Sequence, residues 1–186
     1  MAAGGAIMKG MGNKPAIRLG AGLALAALLA SGAPVMATQP LQQLLAMMPS
    51  SDPTRAFQAA LAGCLLGGGD GPATADLFAS RGMQVYPAPE MGIYEIVSHD
   101  EAIFVLLALD GGFCDVSSAM LGTDDAEHLA SASLFEATRT DPRRSRSTDG
   151  CRQLSAPGLP PLVIRSDGQD PVCISSAGAA VRFHFH

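Results

Sequence analysis

The chain has 186 residues, with 12 basic and 17 acidic side chains and a net charge of −5, and at this length a single domain is the natural expectation. Three of the basic residues, Lys9, Lys14 and Arg18, precede position 38, and no acid precedes Asp52, so the nine remaining basic residues, all arginine, face all 17 acids at a balance of −8. That balance argues against a nucleic-acid partner, which needs a net basic face, and the absence of Lys, Asn and Trp after position 37 removes the P-loop lysine, the Schiff-base lysine and the Ser–Lys dyad.

Residues 1–37 read as an address. Their three positive charges are followed by LGAGLALAALLASGAPV, and then by Val35-Met36-Ala37, with small residues where a signal peptidase reads. This is the three-part layout of a secretory signal peptide. Cleavage is expected between Ala37 and Thr38, with Met1 or Met8 as the start. The alternative is an uncleaved N-terminal membrane anchor, but 19–37 is only about long enough to span a bilayer, and Gly20, Gly22, Gly32 and Pro34 weaken it as a permanent helix. Either way the folded part is expected outside the cytoplasm, periplasmic or secreted.

Residues 38–51 form a lead-in arm or short helix, and 52–186 are expected to form one domain. Asp52 and Pro53 are good residues for a helix N-cap and first turn, and Phe57, Leu61, Cys64 and Leu65 recur at helical spacing until Gly67-Gly68-Gly69 ends the run. A second short helix is expected over 72–81. The period then changes. Strands are expected over 83–86, 93–98, 102–109 and 113–118, joined by short turns that include His99-Asp100-Glu101 and Asp110-Gly111-Gly112. Short connections favour an antiparallel meander, and 102–109, apolar on both faces, is expected at the sheet centre. A third helix begins near Thr123 or Asp124, where Asp124, Asp125 and Glu127 complement the helix dipole. Residues 138–150 read as an exposed, Arg-rich linker, followed by strands over 151–154, 162–165, 172–175 and 180–185. The order predicts an α+β fold: an antiparallel sheet, made of a meander plus C-terminal strands, with two or three helices packed on it.

Four cysteines, Cys64, Cys114, Cys151 and Cys173, all follow the address. An even set in an exported chain reads as two disulfides, and the spacings lack the close pairs of a zinc site or a C-x-x-C redox motif. The element order favours Cys64–Cys114 and Cys151–Cys173. Cys64 lies on the inward stripe of its helix, Cys114 lies in the strand closing the meander, and the later two both fall among the terminal strands. The rival pairings, Cys64–Cys151 with Cys114–Cys173 and Cys64–Cys173 with Cys114–Cys151, would tie the two halves of the chain together.

No G-x-S-x-G, H-E-x-x-H, EF-hand or dinucleotide fingerprint occurs. Gly67 to Gly71 lies between two helices, where a linker is expected. His184 and His186 share one face of a terminal strand, Asp124 and His128 one face of a helix, and Asp100 and Glu101 are adjacent carboxylates in a turn. None of these has a marked third partner, so no catalytic residue, metal ligand or cofactor is assigned. Arg139, Arg143, Arg144, Arg146 and Arg152 form a basic cluster on an acidic chain. The first four are candidate contacts for an anionic envelope polymer or lipid phosphate.

The segments AFQAALAGC and MGIYEIVSHDEAIFVLLALDGGFCDVSS, followed by a helix with an acidic start, resemble a kind of small exported bacterial protein with no settled activity. The resemblance covers about 56–139 and implies no catalytic residue. The leading expectation is a non-enzymatic, disulfide-stapled, exported module that binds an envelope protein, an anionic polymer or a small ligand across its sheet. The alternative is a small hydrolase with a His/carboxylate site around His99 or His128. A concave site joining a histidine to a carboxylate would favour the enzyme.

Overall fold

In the computed structural model, which describes residues 38–167 and 172–185, three helices lead into the sheet. They are α1 (Thr38–Leu45), α2 (Pro53–Gly67) and α3 (Gly71–Ala79). The address at 1–37 lies outside the described residues. The lead-in arm is helical, and Leu41 and Leu45 fix it to the core. The Asp52 carboxylate accepts from the Thr54 N–H at the start of α2, Pro53 sits in its first turn, and Gly68 ends it at φ +59°, the pairing of N-terminal Pro and C-terminal Gly expected from helix-end geometry. Because α1, α3, α4 and the sheet all touch α2, it is buried nearly all round, and its small residues let the neighbours approach. A Cβ at Gly63 would lie 2.8 Å from the ring of Phe78 on α3.

Eight strands follow: β1 (Gln84–Ala88), β2 (Ile93–Val97), β3 (Phe104–Ala108), β4 (Phe113–Ser118), β5 (Arg143–Arg146), β6 (Arg152–Ser155), β7 (Leu162–Ser166) and β8 (Ala179–His184). The helix α4 (Thr123–Thr138) lies between the two sets of four. The order in the sheet is β1-β2-β3-β4-β8-β7-β6-β5, and every neighbouring pair is antiparallel. Two four-stranded meanders thus join through β4 and β8, and α4 carries the chain from one to the far edge of the other. The fold is α+β, with four helices on the sheet.

The two faces of the sheet differ because side chains alternate along each strand. Leu107, Cys114, Phe183 and Leu162 stand in register across β3, β4, β8 and β7 and are all buried. With Ile96, Val105, Val116, Leu154, Ile164 and Val181 they form one core cluster with the helices. Cys64 on α2 is bonded to Cys114 on β4, Cα atoms 5.9 Å apart, which locates the helix layer on this face. Cys151, just before β6, is bonded to Cys173 in the loop before β8, Cα atoms 4.8 Å apart.

Some local expectations are corrected. The strand over 102–109 is interior but not central: β4 and β8 form the middle, and the outward apolar residues of β3, Phe104 and Leu106, are only half-buried. Their double-sided hydrophobicity reflects an open face lined with apolar groups rather than a second covering layer. Residues 172–175 are not a strand, since Val172 and Cys173 lie in a turn. The expected linker at 138–150 contains β5, an edge strand whose four residues are all exposed. Its sequence, RRSR, has no apolar period to read, and charged side chains along an edge discourage further strand pairing.

Candidate functional site

On the side of the sheet away from the helices, Leu106, Asp115, Arg182 and Val163 stand in register across β3, β4, β8 and β7. Arg165 on β7 is opposite Ala180 on β8. The two arginines converge on one carboxylate oxygen. Asp115 Oδ2 accepts from Arg165 Nη2 at 2.6 Å and from Arg182 Nε at 2.8 Å, and Arg182 Nη2 is also within 2.6 Å. The Asp115 side chain is only 7% exposed, the two arginine side chains 30% and 28%. Asp115 Oδ1 and Arg165 Nε are buried with no hydrogen-bond partner among the described residues. Phe113, one strand over, lies under Arg182 with 4.8 Å from guanidinium carbon to ring centroid, a cation–π contact that holds the arginine flat against the sheet.

A cleft of about 290 Å3 opens over these groups, lined by Phe104, Leu106, Ser117, Ala180 and Val172 besides the charged residues, with Asp167 at its rim. The two guanidiniums and the carboxylates of Asp115 and Asp167 balance in charge among the described lining residues. His184, two residues beyond Arg182 on the same face, is held below the ordinary imidazole range by partial burial and by the Arg182 and Arg165 charges, which outweigh the pull of Asp115.

None of Asp115, Arg165 or Arg182 was singled out by sequence reasoning. Their signal was present but faint. Asp115 and Arg182 are lone charges between apolar residues in a strand, Cys114-Asp115-Val116 and Val181-Arg182-Phe183, and Arg165 follows the apolar run Leu162-Val163-Ile164. A period-two pattern predicts that such residues share the face opposite the core. That they meet depends on β8 pairing with both β4 and β7, a long-range arrangement with no local mark.

The residues singled out from sequence lie elsewhere. His99 and Asp100 occupy the β2–β3 turn and line a second cavity of about 270 Å3 with Met48, Arg81 and Met83. Asp100 is committed to the turn itself. Its Oδ1 accepts from the Ser98 hydroxyl at 2.7 Å and the Ala102 N–H at 3.3 Å, and these bonds hold its carboxyl below the usual range. His128 is exposed on α4, and His184 is at the end of β8; His186 lies outside the described residues. No hydrogen bond or ion pair joins a histidine to a carboxylate among the described residues. Among those residues, too, no group of three or more His, Cys, Asp or Glu is placed to hold a metal ion, and no helix is long and apolar enough to cross a membrane.

The basic cluster is largely consumed within the chain. Arg144 and Arg152 both bond Glu127 on α4 at 2.9 Å, Arg152 also reaches Asp124 at 2.5 Å, and Arg139 pairs with Glu136 at 2.8 Å. Arg146 donates to the Gly150 carbonyl at 2.9 Å, leaving Arg143 exposed with no side-chain partner among the described residues. Burial pushes the Glu127 carboxyl up, but the hydrogen bonds from Arg144 and Arg152 outweigh it and hold the group below its ordinary range. These pairs clamp the edge strand β5 and its neighbour β6 to α4.

No protein-family model, no curated protein and no solved structure matches this chain.

Proposed function

We propose that the chain is exported and works as a non-catalytic binding module whose contact surface is the open face of the sheet. The observation that carries this reading is the composition of that face. Phe104, Leu106, Phe113, Val97 and Val163 are half-buried around the paired Arg165 and Arg182, while the opposite face is sealed by helices. A mixed apolar and arginine surface is the composition of protein-binding patches rather than of an inert solvated face. The scatter of His99, His128 and His184 over separate elements favours the module over the hydrolase. Two disulfides suit an oxidising compartment, and with the address at 1–37 they support export to the periplasm or beyond. The partners in view are an envelope protein or an anionic envelope polymer. Arg139, Arg144 and Arg146 are already engaged within the chain, so the arginines of the sheet face are the better candidates for an anionic contact.

Export has a simple check. N-terminal sequencing of protein recovered from the medium or periplasm is expected to begin at Thr38. A chain still starting at Met1 or Met8 and released only by detergent contradicts it. The binding face is tested by photo-crosslinkers placed one at a time at Leu106, on the open face, and at Arg55, exposed on α2. A discrete adduct is expected from the first position and not from the second.

A further inference from the structure

We propose that the cavity between the α1–α2 loop, the α3–β1 turn and the β2–β3 turn binds a zwitterionic α-amino acid with an aliphatic side chain. The ligand's carboxylate lies on Arg81, its ammonium on Asp100 and its side chain on Met48 and Met83. The proposal goes beyond the open sheet face, because the walls of this cavity are three turns rather than strands. Three observations lead to it. First, the cavity is apolar within and polar at its rim. Met48 and Met83 are buried members of the core cluster, whereas Ser51, His99 and Asp100 are exposed. A Cβ at Gly82 would meet nothing within 4 Å, so the backbone there is open to a ligand. An apolar floor with a few polar groups is the usual make-up of a small-molecule site, and thioether side chains adapt to an aliphatic guest.

Second, the cavity has one charge of each sign, and the two are not spent on each other. Arg81 and Asp100 line it, with His99 beside them, and no ion pair joins Arg81 to Asp100 among the described residues. The guanidinium makes one long side-chain bond, Nη2 to Gln42 Oε1 at 3.4 Å. Asp100 uses Oδ1 for the turn, and Oδ2 remains as an acceptor. The bonds from the Ser98 hydroxyl and the Ala102 N–H keep this carboxyl below its usual range, so it is ionised at neutral pH. Separated opposite charges over one apolar floor match the two ends of a zwitterion, whereas a plain anion or cation is drawn to one and repelled by the other. The planar N–H donors of Arg81 suit a carboxylate. Third, the size fits. A volume of about 270 Å3 accommodates about nine non-hydrogen atoms at the volume per molecule of liquid water, the size of leucine.

The test uses the exported protein with both disulfides formed, titrated at neutral pH and followed by backbone amide NMR. Four probes separate the contacts: leucine, 4-methylpentanoate (leucine without its ammonium), 3-methylbutylamine (leucine without its carboxylate) and alanine. Leucine is expected to bind saturably, with the largest shifts at 50–51, 81–83 and 98–100. Each of the other three should bind about tenfold more weakly, the low end for losing a hydrogen bond to a charged group or for leaving an aliphatic side chain unburied. Arg81→Gln should weaken leucine about tenfold and leave 3-methylbutylamine unchanged. Asp100→Asn keeps the Oδ1 acceptor of the turn, and it should weaken leucine while leaving 4-methylpentanoate unchanged. Asp141→Asn, outside the cavity, should change nothing. Absence of a saturable leucine shift overturns the proposal, as does 4-methylpentanoate, 3-methylbutylamine or alanine binding as tightly as leucine to the unaltered protein. Arg81→Gln or Asp100→Asn weakening all probes alike would show a merely structural role and overturn the assigned contacts. Each of these results leaves the crosslink expected at Leu106 untouched, so the open-face reading is decided separately.

Discussion

Replacing Gly111 by alanine is expected to destabilise the protein by about 4 kcal/mol, from backbone strain and overpacking together. Gly111 turns the chain between β3 and β4 at φ +80°, a conformation that L side chains rarely adopt. It also sits against the loop that joins α2 to α3. A Cβ added there would lie 1.6 Å from the Gly69 carbonyl oxygen and 3.1 Å from the Gly71 nitrogen. Gly71 faces the same junction from the other side, its added Cβ 2.5 Å from the Leu109 carbonyl oxygen. Backbone therefore meets backbone, and no flexible side chain can move aside. Gly92→Ala separates the two costs. Its φ is +70°, but nothing lies within 4 Å of the added methyl, so only the conformational cost of about 1 kcal/mol is expected. Thermal unfolding distinguishes them: a drop of roughly 10 °C for Gly111→Ala against a few degrees for Gly92→Ala. Equal drops would show that the approach of the two loops contributes nothing.

The second large effect is expected from the disulfide between the layers. Replacing both Cys64 and Cys114 by alanine should cost about 4 kcal/mol, and replacing both Cys151 and Cys173 about 3 kcal/mol, the difference following the loop lengths closed in the unfolded chain. The sequence separations are 50 and 22. The first bond joins α2 to β4, and both of its cysteines are fully buried, so their loss also removes packing between the helix layer and the middle of the sheet. The second bond fastens the loop before β8 to the start of β6, with Cys173 partly exposed. Urea unfolding under non-reducing conditions measures both. A Cys64/Cys114 double variant within 1 kcal/mol of the parent would show that this bond does not hold the layers together.

Much of the fold was legible because its signals are local. Asp52-Pro53 and Gly68 mark the two ends of α2, the acidic start marks α4, and short apolar runs bounded by turns mark β2, β3 and β4. The strand β5 escaped because RRSR pairs on one side only and buries nothing. Residues 172–175, rich in β-branched and small side chains, had strand propensity without a strand to pair with, and the disulfide at Cys173 holds them in a turn instead. The candidate site was the least legible part. Asp115, Arg165 and Arg182 are 50 and 17 positions apart along the chain, and only the insertion of β8 between β4 and β7 brings them together. The residues that drew attention from sequence, His99, His128 and the arginines of 139–146, are where hydrophilic groups usually are, in turns, on helix exteriors and at an edge.

The central claim is that the open face of the sheet, not the helix layer, meets the partner. Quantitative photo-crosslinking in the native host cell tests it most directly, with single positions at Val97, Leu106 and Val163 on the open face and at Arg55 and Phe135, exposed on α2 and α4. The same discrete adduct from all three sheet positions, reduced when Arg182 is replaced by Gln and absent from Arg55 and Phe135, is the predicted result. Adducts formed equally from both faces, or from Arg55 and Phe135 alone, would contradict it.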